Sequence, residues 1–382
     1  MWQLRAGLFG VWALGAVAAW AGPERAFLRL NDTGSTLCRS KSGHDKTDCS
    51  GTGQDGQYGR DARKPRAGNG AAGFSFTRVC HSGELAGQGS CPAEPLLGAG
   101  PNDWGCTKDK VTGLTWEIKT ADDGLRDWRR RYRHLGTEQP DDDSVFLSAV
   151  NAMGLCGAQD WRLPSLTELQ GIAHYGVASG PAVEAAWWPL TMAEDHWTTT
   201  HGPQPNAAWA LDFGSGSSRL TDVRYGRAMP VRLVRGPRTV APVDRFLVQP
   251  QEVLDRFTGL VWRRCAEGQL AAGAGCEGRA SRLSWRDALR QAKDLSRATG
   301  QTWRLPNVKE LESIVAHDIA GVLIDPEAFP GTQPGRFWTA TPVAYIYFPS
   351  RARIWVMDFG EGLLWVERDF HPLMVRLVRS AD

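Results

Sequence analysis

In the last third of the chain, apolar and polar positions first alternate and then switch to a helical period. DRFTGLVWRR, Asp255–Arg264, alternates around a Thr-Gly turn and predicts paired short strands. In SWRDALRQAKDLSRA, Trp285, Leu289, Ala292 and Leu295 recur every three or four residues. That spacing predicts a helix, and Ser284 stands where an N-cap is needed. A second helix starts after Pro306: Asn307 followed three residues later by Glu310 is a capping-box arrangement, and the proline stops any helix running in from upstream. Short strands are predicted at FWTAT, RIWVMDF, LLWVER and LMVRLVR. Strand, helix, helix and then four or five strands is the order of an α+β domain.

The same pattern occurs earlier, block by block. DWRLPSLTELQGI at Asp160 matches TWRLPNVKELESI at Thr302, and DKVTGLTW at Asp109 matches DRFTGLVW at Asp255. HWTTT at His196 matches FWTAT at Phe337, AWALDFGSG at Ala208 matches IWVMDFGEG at Ile354, and VRLVR occurs at both Val231 and Val375. Ser165 and Glu168, behind Pro164, repeat the capping box. All blocks keep one order at offsets of about 141 to 146 residues, far longer than a solenoid unit. A whole domain has been duplicated in tandem. The expected layout is a signal peptide at 1–21, a Gly/Asp-rich segment at 22–100, and two copies at 101–238 and 239–382, joined by the stiff GPRTVAP and expected to fold separately.

Composition changes the picture in three ways. The near-balanced charge, formally +2, gives no reason to expect a nucleic-acid partner. The basic run Arg129–Arg133 sits just ahead of Asp141–Asp143, and both read as a solvated, mixed-charge loop. Arg5, the apolar run Ala6–Ala19 and the small residues Ala19 and Ala21 read as an export signal cleaved after Ala21, too short for a comfortable membrane span. Periplasmic, cell-surface or secreted location in a bacterium is therefore expected. In that setting the eight cysteines read as disulfides: Cys38 with Cys49, Cys80 with Cys91, Cys106 with Cys156, and Cys265 with Cys276. The last pair is the most secure, since the second copy holds no other cysteine; the alternative, zinc held with His44 or His81, has no recognised ligand spacing. Seventeen tryptophans imply aromatic-rich cores or an adhesive aromatic surface.

Catalytic signatures are missing. The chain has no nucleophile elbow, no zinc-protease helix and no phosphate loop, and its histidines lack helical pairing. Asp212 and Asp358 recur in DFG without a second carboxylate beside them, so turn-capping is their expected role. Trp161 and Trp303 are expected in the core, each followed by an arginine with an internal charge partner.

The series D-x-x-T-G-L-x-W, W-R-L-P-x-x-x-E-L, W-[ST], W-x-x-D-F-x-x-G and V-R-L-V-R resembles the Lcl C-terminal domain family, a bacterial domain without an assigned function. One branch of that family is joined to a collagen-like surface adhesin. The resemblance implies tandem C-type-lectin-like domains, each with two helices and a small, mostly antiparallel sheet. In that fold the first and last strands pair at the base and a long irregular loop presents the ligand surface. The corresponding loop holds Tyr345, Tyr347, Phe348, Arg351 and Arg353, where AYIYFPSRAR replaces HGPQPNAA of the first copy. Aromatics stack on sugar faces and arginines bind acidic groups, although the tyrosines could equally fill the loop's own core. The expectation is an exported, non-enzymatic, adhesin-like protein without cofactor or metal, contacting glycan or protein surfaces. An assembly subunit of a surface appendage is the alternative. R-L-P-x-x-x-E also resembles formylglycine-generating oxidases, but no cysteine follows Cys156 in the first copy or Cys276 in the second.

Overall fold

The computed structural model describes residues 30–40, 45–46, 48–63, 66–67, 70–134, 139, 141–238, 241–344 and 352–381. The expected signal peptide lies outside them. In both copies the D-x-x-T-G-L phrase closes a β-hairpin. Asp109 accepts from Val111 N and Thr112 Oγ1, each at 2.8 Å, and Asp255 accepts from Phe257 N and Thr258 Oγ1 at 3.0 and 2.9 Å. Gly113 and Gly259 then take φ of 79° and 74°, a left-handed turn that a side chain would strain.

Each hairpin sits inside a four-stranded antiparallel sheet of the same order. In the first copy the order is Phe76–Cys80, Trp104–Asp109, Thr115–Glu117 and Val234–Arg235. In the second it is Phe246–Val248, Glu252–Asp255, Leu260–Arg263 and Val378–Ser380. The V-R-L-V-R segment thus returns to pair with the hairpin in both. Phe76 lies opposite Asp109 as Phe246 lies opposite Asp255, so the first structural unit reaches back ahead of residue 101.

Two helices follow in each copy: Asp143–Met153 and Leu166–Gly171, then Trp285–Thr299 and Val308–Ser313. Ser284 caps the third by accepting from Asp287 N, as its position in sequence implies. The first corrects the reading of Asp141–Asp143 as solvated loop. Asp142 is buried and caps that helix by accepting from Ser144 N, and Asp143 meets His134 Nδ1 at 2.5 Å. A three-stranded antiparallel meander completes each copy: Asp195–His201, Ala207–Asp212 and Ser217–Asp222, and then Arg336–Pro342, Arg353–Asp358 and Leu363–Arg368. The class is α+β, with antiparallel sheets predominating.

All eight cysteines are joined as expected: Cys38–Cys49, Cys80–Cys91, Cys106–Cys156 and Cys265–Cys276. Each copy keeps an apolar cluster of its own, one around Phe146, Trp161 and Trp197 and the other around Trp285, Trp303 and Trp338. A third cluster runs through both copies, taking Leu169, Ile172 and Trp209 from the first and Leu311, Ile314 and Trp355 from the second. That shared core removes the basis for expecting two independent folding units. The N-terminal segment reaches the second copy as well as the first: Arg39 Nη2 donates to Val343 O at 2.5 Å and Arg286 Nη2 to Ser40 O at 3.3 Å.

Candidate functional site

The repeated W-R-L-P phrase builds a helix start held by charge. Arg162 makes two hydrogen bonds to Glu168 at 2.7 and 2.8 Å, and Arg304 makes two to Glu310 at 2.6 and 2.7 Å. Each glutamate also accepts from the backbone N of its cap residue, Ser165 at 2.9 Å or Asn307 at 2.8 Å. Burial alone would lower the Arg304 pKa, but the Glu310 charge and hydrogen bonds raise it. Trp161 and Trp303 are both 2% exposed, so they serve the core. Asp212 accepts from Gly214 N at 2.7 Å and Asp358 from Gly360 N at 2.8 Å, the turn-capping role expected of the DFG aspartates. Asp212 does have a second carboxylate beside it, contrary to expectation: Asp195 lies opposite on the neighbouring strand, and Arg219 pairs with both.

Where the copies meet, equivalent residues meet one another. Gln170 and Glu312 occupy the same place in the repeated phrase, and they are hydrogen-bonded. The Trp209 ring lies 4.8 Å from His317 and the Trp355 ring 5.4 Å from Tyr175, centroid to centroid. Trp209 is the counterpart of Trp355, and Tyr175 of His317. The strands Ser217–Asp222 and Leu363–Arg368, also counterparts, lie against each other. Reciprocal contacts of this kind define a twofold, self-complementary interface, here within one chain.

A polar cluster that has no local signature in the chain gathers at this junction. Thr33 and Thr341 both donate to Asp55 Oδ2, at 2.7 and 2.6 Å. Lys309 Nζ donates to Asp32 O at 2.7 Å and Gly171 O at 2.9 Å. Burial, then the Asp32 charge, raises Asp55 to about 7; burial lowers Lys309 to about 7 and raises Glu312 to about 8. These groups bind the N-terminal segment to both copies, and hydrogen bonds within the protein account for their placement. Among the described residues no group of His, Cys, Asp and Glu is arranged to hold a metal.

Of the expected ligand contacts, Tyr345, Tyr347, Phe348 and Arg351 lie outside the described residues. Arg353 is exposed at the start of its strand, directly opposite Arg368, which is exposed too. On the neighbouring strand Trp365 is 40% exposed, with the Arg336 guanidinium 4.8 Å from its ring centroid, and Phe370 beyond it is 49% exposed. Sequence reasoning passed over Trp365 because LLWVER reads as an ordinary half-buried strand. The one signal was that the first copy has Arg219 at this place.

Two α+β units with one strand order, four disulfides and a twofold contact define a tandemly duplicated, disulfide-bonded protein. The chain belongs to the Lcl C-terminal domain family, whose profile matches residues 105–235 and 251–379. No curated protein matches it.

Proposed function

We propose that this chain is an exported, non-enzymatic binding protein of the bacterial envelope or cell surface, whose second copy contacts acidic glycans or similarly charged protein surfaces. The observation that carries this reading is the exposed Arg353–Arg368 pair, Arg353 standing just after residues 345–351 in sequence. Two exposed guanidinium groups on neighbouring strands make a locally cationic surface, which suits an anionic group. Tyr345, Tyr347, Phe348 and Arg351 add aromatic and cationic character to the same loop in sequence, and aromatic faces suit sugar rings. A last strand that returns to the hairpin in each copy supports the lectin-like arrangement. Four disulfides fit an oxidising compartment outside the cytoplasm.

The test is a glycan array probed with the disulfide-bonded chain. Acidic glycans should be retained over neutral ones, with retention falling as salt rises. Arg353→Glu should abolish retention while leaving the melting temperature nearly unchanged. No retained glycan, or retention indifferent to Arg353→Glu, removes this reading. A second reading, an assembly subunit of a surface appendage, is favoured by a groove that Thr200 and His201 of the first copy form with Ala316–Asp318 of the second.

A further inference from the structure

The last strand of each meander holds one outward position that the two copies fill differently. On one face of the sheet Trp197, Ala210 and Arg219 stand side by side in the first copy, and Trp338, Val356 and Trp365 in the second. The first two members of each row are buried. The third lies outside the core: the Arg219 side chain is 57% exposed and Trp365 is 40% exposed. In the first copy Arg219 pairs with Asp195 at 3.2 Å and with Asp212, the DFG aspartate, at 3.3 Å. In the second copy Arg336 stands where the first has Asp195, and it reaches the equivalent Asp358 at 3.6 Å. The DFG aspartate is therefore matched from the first strand, and position 365 has no charge to balance. It has no core to fill either, yet it carries an indole.

That indole is not a solitary apolar side chain. The Arg336 guanidinium lies 4.8 Å from its ring centroid and bonds through Nη1 to Glu367, two residues along on the same face of the strand. Glu367 in turn meets His371 Nδ1 at 2.5 Å, and the exposed Phe370 ring stands edge-on to the His371 ring at 4.7 Å. Two exposed aromatics are thus joined through an arginine, a carboxylate and a histidine. Trp365 Nε1 donates to Glu361 Oε2 at 3.0 Å, which fixes the indole's orientation. Arg336 Nη2 and His371 Nε2 make no hydrogen bond among the described residues, and their side chains are 34% and 42% exposed. Exposed apolar surface rimmed by polar groups of this kind has the composition of a ligand surface.

We propose that Trp365 is the stacking platform of a sugar subsite, on which the second copy takes an uncharged pyranose ring while Arg336 and His371 bond its hydroxyl groups. A pyranose presents a face of C–H groups that packs on an indole. The single arginine is shared between Asp358 and Glu367, so no cation is left to draw an acidic sugar to this place. The first copy, with arginine in the same position, has no such platform. The inference rests on the reading of the second copy as the glycan-binding half and extends it. Acidic residues of the glycan go to Arg353 and Arg368, and an uncharged residue of the same glycan goes to Trp365, three positions from Arg368 on one strand.

The experiment is the glycan array probed with the full disulfide-bonded chain and with its Trp365→Ala, Trp365→Phe and Arg353→Glu variants. Trp365→Ala should lower retention of glycans that mix acidic and uncharged rings by about tenfold, to the same extent at low and high salt. Trp365→Phe should keep most of that retention. Glycans built of acidic residues alone should be held equally by the parent and by Trp365→Ala. The melting temperature should not fall, since the first copy folds with arginine in this place. Retention of mixed glycans unchanged by Trp365→Ala overturns the proposal and leaves the arginine reading intact. A lowered melting temperature makes the indole part of the fold and overturns it as well. Loss with Trp365→Ala but not with Arg353→Glu upholds the platform and removes the arginines. A parent chain that retains no glycan removes both.

Discussion

At the scale of single residues, the tryptophan of W-R-L-P and the aromatics of the 345–351 loop should behave in opposite ways. Trp303 is buried beside Trp285 and Trp338, with the Arg379 and Arg263 guanidinium groups 5.5 and 5.9 Å from its ring centroid. Trp303→Ala should cost about 3 to 5 kcal/mol in chemical denaturation, as large-to-small core changes do. Tyr345→Ala or Arg351→Ala should leave the denaturation midpoint nearly unchanged and weaken glycan retention. If Trp303→Ala instead spares stability and abolishes retention, the ligand site lies at the helix start. Glu312 supplies a pH test. Burial raises its folded pKa from 4.5 to about 8, so the fold favours the protonated form. Its contribution is full below the unfolded value and is lost as pH rises through the folded one. Glu312→Gln should therefore gain stability relative to the parent between pH 4 and pH 8, read from denaturation midpoints at both. A gap that stays constant with pH would mean that the carboxyl does not titrate in this window.

At the scale of elements, the two short helices after W-R-L-P depend on their starts. Six residues are too few for a stable helix on propensity alone, so the cap, the ion pair and the packing must hold them. Glu310 serves both Asn307 N and Arg304, and their side chains are each about one-tenth exposed at the ion pair. Glu310→Ala strands a buried guanidinium and should cost about 3 to 5 kcal/mol. Ser165→Ala removes only the cap acceptor in the first copy and should cost about 1 kcal/mol. Denaturation curves for both variants check the ranking; equal losses would show that the ion pair adds nothing to the cap.

At the scale of the whole molecule, the copies are joined through a core that neither completes alone. A fragment of residues 243–382 would uncover Leu311, Ile314, Trp355 and Leu364. Because the lost surface is self-complementary about a twofold axis, the fragment should self-associate with rising concentration and bind an apolar dye. Sedimentation of the fragment, compared with the full chain, is the measurement. A monodisperse, cooperatively unfolding monomer would show that the shared cluster contributes little.

The duplication, the helix starts, the hairpin turns and the capping roles of Asp212 and Asp358 are legible in the chain, because a repeated phrase, a capping box or an Asp-Thr-Gly turn is written in a few neighbouring residues. Of the disulfides only Cys265–Cys276 follows from the sequence; the other three pairs, among them Cys106–Cys156 across 50 residues, are suggested by neighbourhood and established by the fold. The sequence also placed Trp161 and Trp303 in the core, because both copies keep an indole ahead of a fixed helix start. Two helices are expected in each copy, but the start of the first copy's leading helix is hidden in sequence because Asp141–Asp143 looks like solvated charge, and only the fold shows Asp142 buried as a cap. Which strand of the N-terminal segment completes the first sheet, how Asp55 and Lys309 come to be buried together, and the twofold contact itself were decided by tertiary structure. The strand pairs Phe76 with Asp109, while the other two join residues more than a hundred positions apart, and none of these juxtapositions leaves a periodic mark in the chain.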